Sequence, residues 1–141
     1  MAKIFWDTNI FIYLVEDSPV FGQLVEDLRR RMLHRNDRLI TSTMTVGEVL
    51  VKPIATGNRV LAAQYREFFA TPQIHVATFD LDAAEAYGII RNDRTIGASD
   101  AIQLACAAAA EVDLFITNDS RLNRKNVPGV KFISSLQSAP I

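Results

Sequence analysis

The chain has 141 residues, of which 49% are hydrophobic and 22% charged, and its net charge is −1. A chain of this length can fold as one domain without disulfides or a structural metal, so we expect one domain over residues 1–141 and a small buried role for the single cysteine, Cys106. The low net charge argues against a protein that coats nucleic acid by bulk charge. No apolar segment approaches the roughly 20 residues of a membrane span, and no signal-peptide core is present, so we expect a cytoplasmic protein.

Short apolar segments alternate with segments of helical periodicity along the whole chain. Strands are predicted at residues 3–6, 38–43, 74–79, 114–117 and 130–134. Helices are predicted at residues 10–15, 20–34, 45–53, 58–70, 80–92 and 98–111, and residues 137–141 are expected to form a loose tail. This alternation predicts an α/β fold with a parallel sheet of four to five strands that is covered by helices on both faces.

Four acidic residues occupy comparable places in this pattern. Asp7 and Asp119 follow predicted strands, and Asp100 lies in the first turn of the alanine-rich helix. Thr45 and Glu48 have the spacing of a capping box, which predicts Thr45 at the N-cap and Glu48 in the first turn of its helix. Strand ends and the starts of the following helices share one edge of a parallel sheet, so Asp7, Glu48 and Asp119 are expected to converge there. Asp100 joins them only if its helix starts at that edge, which the sequence does not determine.

Each acid taken alone could simply cap a helix, because carboxylates interact well with helix amino termini. If the acids meet, their charges repel, and a divalent cation such as Mg²⁺ or Mn²⁺ would remove that repulsion. The two histidines, His34 and His75, lie far from the acids in sequence, which argues against zinc. Several neutral side chains could bond to the acids, to metal-bound water or to phosphate, or could serve in turns and caps: Thr8, Asn9, Ser42, Thr45, Thr117 and Asn118.

Basic residues fall into two groups. One is a cluster in the second predicted helix and just after it, for which we expect a solvated helix face: Arg29, Arg30, Arg31, His34, Arg35 and Arg38. The other is scattered later in the chain: Arg91, Arg94, Arg121, Arg124 and Lys125.

The polar motifs, taken in order, resemble those of PIN-domain ribonucleases, and most closely the VapC-type toxins of toxin–antitoxin pairs. The motifs are Asp7-Thr8-Asn9, Ser42-x-x-Thr45-x-x-Glu48, Ser99-Asp100-Ala101-Ile102-x-Leu104-Ala105 and Leu114-x-x-Thr117-x-Asp119. The resemblance implies a three-layer α/β/α sandwich and a metal-dependent endoribonuclease that leaves 3′-hydroxyl and 5′-phosphate ends. It also implies homodimerisation and inhibition by a cognate antitoxin protein.

The same resemblance assigns roles to the acids. Asp7, Asp100 and Asp119 are expected to hold Mg²⁺ or Mn²⁺, and Glu48 is expected either to ligate the metal or to orient the attacking water. The chain departs from the family at Arg121, where many relatives carry a further acid. This departure weakens the case for a second metal ion and leaves Arg121 to contact RNA phosphate or to face solvent.

Two other functions remain open. A phosphohydrolase of the haloacid dehalogenase type would use Asp7 as a nucleophile, but Asn9 stands where its second acid should be. A PIN-like binding subunit would use the same acids only to cap helices.

Overall fold

The computed structural model describes residues 1–141 and contains a five-stranded parallel sheet. The strands are β1 (Lys3–Trp6), β2 (Arg38–Ser42), β3 (Ile74–Ala77), β4 (Leu114–Ile116) and β5 (Ile133–Ser134). They lie in the order β3-β2-β1-β4-β5, and every neighbouring pair is parallel. The predicted parallel sheet is confirmed at five strands, and β5 is shorter than expected, since it begins at Ile133 rather than at Val130.

Seven helices cover the two faces of this sheet. They are α1 (Thr8–Val15), α2 (Gly22–Arg35), α3 (Thr43–Ala55), α4 (Arg59–Phe69), α5 (Leu81–Ile90), α6 (Ala98–Ala109) and α7 (Ser120–Asn123). Side chains alternate across β1, where Ile4 and Trp6 join the core under α1 to α4 while Phe5 joins the core under α5 and α6. The three-layer α/β/α arrangement is therefore confirmed.

The alanine-rich helix α6 brings its first turn to the carboxyl edge of the sheet. The N–H of Asp113 donates to the carbonyl of Lys3 (2.8 Å), which places the approach to β4 beside the start of β1 at the amino edge. Because α6 ends at Ala109, shortly before this point, the helix runs toward the amino edge. Its other end, with Asp100 in the first turn, accordingly lies at the carboxyl edge.

The predicted capping box at Thr45 and Glu48 is wrong. Ser42 at the end of β2 is the N-cap of α3, and its hydroxyl accepts a hydrogen bond from the N–H of Thr45 (3.4 Å). The first N–H groups of a helix lack partners within the helix, and the Ser42 hydroxyl supplies one to the N–H three residues later. Ser42 can therefore end β2 and cap α3 at once, so the chain turns into α3 directly after the strand. Thr45 thus lies inside the first turn of α3, and Glu48 lies in the second turn.

Other parts of the chain also differ from expectation. Helix α1 begins at Thr8 rather than at Ile10, because Asp7 caps it directly after β1. Pro53 lies inside α3, which continues to Ala55. The carboxyl terminus is not a loose tail, because Ile141 packs against the core under α1 to α4. Cys106 is buried as predicted, and none of the helices is both long and apolar enough to cross a membrane.

Candidate active site at the carboxyl edge of the sheet

Asp7 is held at the junction of β1 and α1 by two hydrogen bonds. Its Oδ1 accepts from the N–H of Thr8 (2.9 Å), and its Oδ2 accepts from the hydroxyl of Thr117 (2.7 Å). Burial raises the pKa of Asp7 to about 6, while these two hydrogen bonds lower it and the charges of Asp100 and Glu48 raise it further. Asp7 is therefore both a helix cap and a buried acid whose ionised form is costly.

Thr117 joins two of the predicted acids. Besides donating to Asp7, its hydroxyl accepts a hydrogen bond from the backbone N–H of Asp119 (3.1 Å). Thr117 is fully buried at the end of β4, so this link fixes the turn after β4 against the turn after β1. The sequence correctly singled out this residue as a possible partner of the acids.

Glu48 reaches the same edge from the second turn of α3. Its Oε1 accepts a hydrogen bond from the hydroxyl of Thr8 (2.6 Å), which directly follows Asp7. Its Oε2 has no hydrogen-bond partner in the protein and is free to bind water or a ligand. Asn9, by contrast, is exposed in the first turn of α1 and takes no part in these contacts.

Gln103 is the organising residue that the sequence analysis missed. Its side chain is 1% exposed on α6, and its carbonyl oxygen accepts a hydrogen bond from the hydroxyl of Ser42. Its amide nitrogen lies 2.7 Å from the Thr45 hydroxyl, 3.0 Å from the Thr8 hydroxyl and 3.4 Å from Glu48 Oε1. The residue lies three positions after Asp100, a spacing that places both on one face of α6, and this signal was available in the sequence.

Asp100 is the third acid at this edge. Burial raises its pKa, and the charges of Asp119 and Glu48 raise it further, while the charge of Arg121 lowers it. These influences show that Asp100 lies within electrostatic range of the acids on α3 and after β4. The sequence left open where the helix of Asp100 starts, and the fold places that start at the edge where β1 and β4 end.

Asp119 is neutralised by Arg121. The guanidinium approaches both carboxylate oxygens, with Nε 3.2 Å from Oδ1 and Nη2 3.0 Å from Oδ2. The backbone N–H of Arg121 also donates to Oδ1 (3.0 Å), so Asp119 is the N-cap of α7. Together these contacts hold the pKa of Asp119 below its usual range.

The candidate ligands at this edge have the oxygen atoms that a hard cation prefers, but they do not form a complete ligand set around one point. All candidate donors are carboxylate oxygens, which suits Mg²⁺ or Mn²⁺. Two acids with raised pKa values, the buried Asp7 and the partly buried Asp100, would be stabilised in ionised form by a cation. No three acidic, histidine or cysteine side chains are gathered closely enough to hold a metal ion, since Asp119 is paired with Arg121 and Glu48 is turned to Thr8.

Comparison with known proteins gives a consistent result. A family model described as the PIN domain matches residues 4–128. No curated protein matches the chain by sequence. Among solved structures, the fold is similar to VapBC2 of Rickettsia felis bound to a promoter DNA fragment, with 16% identity over 94% of this chain and 98% of that chain and a TM-score of 0.73.

Two further structures share the fold. The VapBC complex of Salmonella typhimurium bound to DNA is 21% identical over 96% of this chain and 99% of that chain, with a TM-score of 0.69. VapC20 of Mycobacterium tuberculosis, described as a toxin that cleaves the sarcin–ricin loop, is 16% identical over 79% of this chain and 86% of that chain, with a TM-score of 0.61.

Proposed function

The chain belongs to the PIN-domain family, and on that premise we propose that it is a metal-dependent endoribonuclease and the toxin of a type II toxin–antitoxin pair. The observation that carries this proposal is the buried carboxylate of Asp7, with its raised pKa, within range of the charges of Asp100 and Glu48. A protein gains nothing in stability from grouping buried acids, so their convergence favours a ligand that needs them.

Asp7, Asp100 and Asp119 are the residues proposed to hold Mg²⁺ or Mn²⁺. When bound, the ion would neutralise the acids, polarise a phosphoryl oxygen and activate a water molecule. Thr117 keeps Asp7 oriented through its hydroxyl and fixes the backbone of Asp119 beside it. Asp119 can join the ligand set only when Arg121 releases its carboxylate. This release costs little free energy, because the ion pair between the two residues is exposed.

Glu48 is proposed to orient the attacking water. Thr8 and Gln103 hold Oε1, so the carboxylate has a fixed direction and Oε2 remains available to accept a hydrogen bond from that water. Attack at phosphorus in line with the departing 3′ oxygen would leave 3′-hydroxyl and 5′-phosphate ends. Ser42 acts on Glu48 only indirectly, because its hydroxyl donates to Gln103 and Gln103 in turn contacts Glu48.

The proposed partners follow from the neighbouring structures. Two of them are VapBC complexes, which supports a cognate antitoxin for this chain, and the description of VapC20 supports RNA as the substrate. A homodimer and action in the cytoplasm belong to the same proposal. The family match removes the support for a haloacid dehalogenase-type phosphohydrolase, whereas a PIN-like binding subunit is tested by the experiment below.

Cleavage of total RNA in the presence of Mn²⁺ or Mg²⁺ tests the proposed activity. We expect internal cuts by the wild type, none in EDTA, and at least a hundredfold loss in Asp7→Asn, because the amide keeps the shape of the carboxylate but not its charge.

Asp82→Asn is the matched control, since Asp82 is an exposed acid in the first turn of α5 and the change in charge is the same. This variant should cleave like the wild type. Equal cleavage by Asp7→Asn and the wild type would contradict the proposed site, and a wild type that neither binds Mn²⁺ nor cuts RNA would favour the binding subunit.

A further inference from the structure

An acidic site that cuts RNA faces an electrostatic difficulty, because its substrate is a chain of phosphates. The protein carries a net charge of −1, so attraction for RNA must come from a local patch of basic residues. The fold offers two such patches, and they lie at opposite edges of the sheet.

The first patch comes from two segments that a lysine ties together. Lys125, just after α7, contacts Asp93 through its Nζ (3.1 Å to Oδ2) and also contacts the hydroxyl of Thr95. These contacts join the loop before α6 to the segment after α7. Arg94 lies between the two residues that Lys125 contacts, and Arg124 is the neighbour of Lys125 in the chain, so both exposed arginines lie on adjoining segments.

This surface is continuous with the acidic site. Arg124 follows Arg121 by three residues across α7, and Arg121 is in direct contact with Asp119. On the other segment, the loop that carries Arg94 leads into the first turn of α6 with Asp100. We call Arg94, Arg121 and Arg124 the arginine strip. The nearby cation Lys125 is already paired with Asp93, and Arg91 is held against Tyr87, with Nη1 3.0 Å from its hydroxyl.

The second patch, on α2, is turned away from the site. Arg35 pairs with Asp37 (3.1 Å), and Asp37 accepts a hydrogen bond from the N–H of Ala2 (2.8 Å), just before β1 begins. The carboxyl-terminal half of α2, with exposed Arg30 and Arg31, therefore ends at the amino edge of the sheet. The acids lie at the carboxyl edge.

From this placement we propose that the arginine strip binds the phosphate backbone of the RNA on the α6–α7 side of the acidic site, and that the α2 patch does not. The proposal rests on the proposed function and names the surface by which that site receives its substrate. Arg94 and Arg124 are fully available for phosphate, while Arg121 becomes available when its carboxylate partner is taken by a cation.

A binding measurement in EDTA tests this surface without any contribution from cleavage. The probe is a fluorescein-labelled single-stranded RNA of random sequence, about 20 nucleotides long, followed by anisotropy over a series of salt concentrations. For the double variant R94E/R124E we expect roughly tenfold weaker binding at low salt and a salt slope smaller by about 1.4, since each phosphate contact on a single strand contributes ~0.7. The milder R94A/R124A should show the same reduction in slope.

The double variant R30E/R31E is the matched control, because it makes the same change in net charge at the opposite edge. We expect it to keep the wild-type salt slope. The proposal is overturned if R30E/R31E weakens binding as much as R94E/R124E, if R94A/R124A keeps the wild-type slope, or if the wild type does not bind the probe. These outcomes are separate from the cleavage test, which depends on the acids and on added metal.

Discussion

Asp7 combines a helix cap with a buried negative charge, and the two have opposite effects on the free energy of unfolding. The hydrogen bond from Thr8 stabilises the start of α1, whereas burial of the carboxylate penalises the ionised form. An asparagine at this position could keep the cap through its carbonyl oxygen and turn its amide toward the Thr117 hydroxyl. The two contributions can therefore be separated by experiment.

We predict that Asp7→Asn stabilises the metal-free protein at neutral pH. The pKa of Asp7 is about 6 in the folded state, whereas the ordinary pKa of an aspartate is 3.8, so the folded wild type loses stability as pH rises from about 4 to about 6. At roughly 1.4 kcal/mol per pKa unit, the gain from removing the charge is at most about 3 kcal/mol at pH 7.5 and fades toward pH 4. Urea unfolding of both proteins in EDTA at pH 4 and pH 7.5 measures this gain in the free energy of unfolding. A loss of stability in Asp7→Asn at pH 7.5 would mean that the cap outweighs the buried charge.

We predict that Arg121→Ala tightens Mn²⁺ binding. In the metal-free protein Arg121 occupies both oxygens of Asp119, and a cation must displace it before Asp119 can serve as a ligand. Removing the competitor should lower the Kd for Mn²⁺ roughly fivefold, the equivalent of ~1 kcal/mol for an exposed pair.

Arg124→Ala separates this local competition from a general effect of charge. The arginine is exposed and lacks a contact with any acid, so its removal should leave the Kd for Mn²⁺ near the wild-type value. Calorimetric titration of the three proteins measures the difference. If Arg124→Ala tightens binding as much as Arg121→Ala, the ion pair with Asp119 is not the cause.

Among the elements, α6 is joined to α1, β2 and α3 by the hydrogen bonds of one buried amide. Gln103 bonds to Ser42, Thr45, Thr8 and Glu48, all of which come from other segments. Gln103→Leu would leave these buried groups without their partner, and we predict a loss of about 2–4 kcal/mol in the free energy of unfolding.

The same replacement on an exposed helix face provides the comparison. Gln64 is exposed on α4, so Gln64→Leu should change stability by no more than about 0.5 kcal/mol. Denaturant unfolding of both variants measures the contrast. A loss below 1 kcal/mol in Gln103→Leu would show that the surrounding hydroxyls bond to one another well enough without it.

The helices and strands were predictable where the pattern of hydrophobic residues determines them. They were less predictable where two hydroxyl groups could each cap the same helix. The unbroken apolar run of Ile4, Phe5 and Trp6 predicted a buried parallel strand, and the structure confirms it with a core on each face. Two hydroxyls, Ser42 and Thr45, could each have capped α3, and both are buried in the structure. Ser42 is the cap because it ends β2 and its hydroxyl accepts from the N–H of Thr45, an end of the strand that local spacing does not reveal.

On the scale of the whole molecule, topology explains why acids far apart in sequence could be predicted to converge. Parallel strands end at one edge, so the β1–β4 pairing, with Trp6 opposite Ile116 in the register, brings Asp7 and Asp119 to the same edge, where both bond to Thr117. The direction of α6 was not fixed by the sequence pattern, and the position of Asp100 depended on it. The pairing of Asp119 with Arg121 was also beyond prediction, because two exposed residues at this spacing can equally face solvent.

The same convergence predicts how metal changes the stability of the whole protein. A cation that binds only the folded chain raises its free energy of unfolding, by about 2.7 kcal/mol at a concentration 100 times its Kd. We therefore predict that Mn²⁺ raises the Tm of the wild type and of Asp82→Asn. Asp7→Asn and Asp100→Asn should lose most of this rise, since both are proposed ligands.

Glu48→Gln distinguishes a ligand from a residue that orients water. If Glu48 acts on water through its Oε2, Glu48→Gln should retain most of the Mn²⁺-dependent rise in Tm while RNA cleavage falls by at least a hundredfold. If Glu48 is itself a ligand, the rise in Tm and the cleavage should be lost together. Thermal melts with and without Mn²⁺, paired with the cleavage assay, decide between these two roles of Glu48. A wild type whose Tm does not respond to Mn²⁺ would leave the four acids with structural roles alone.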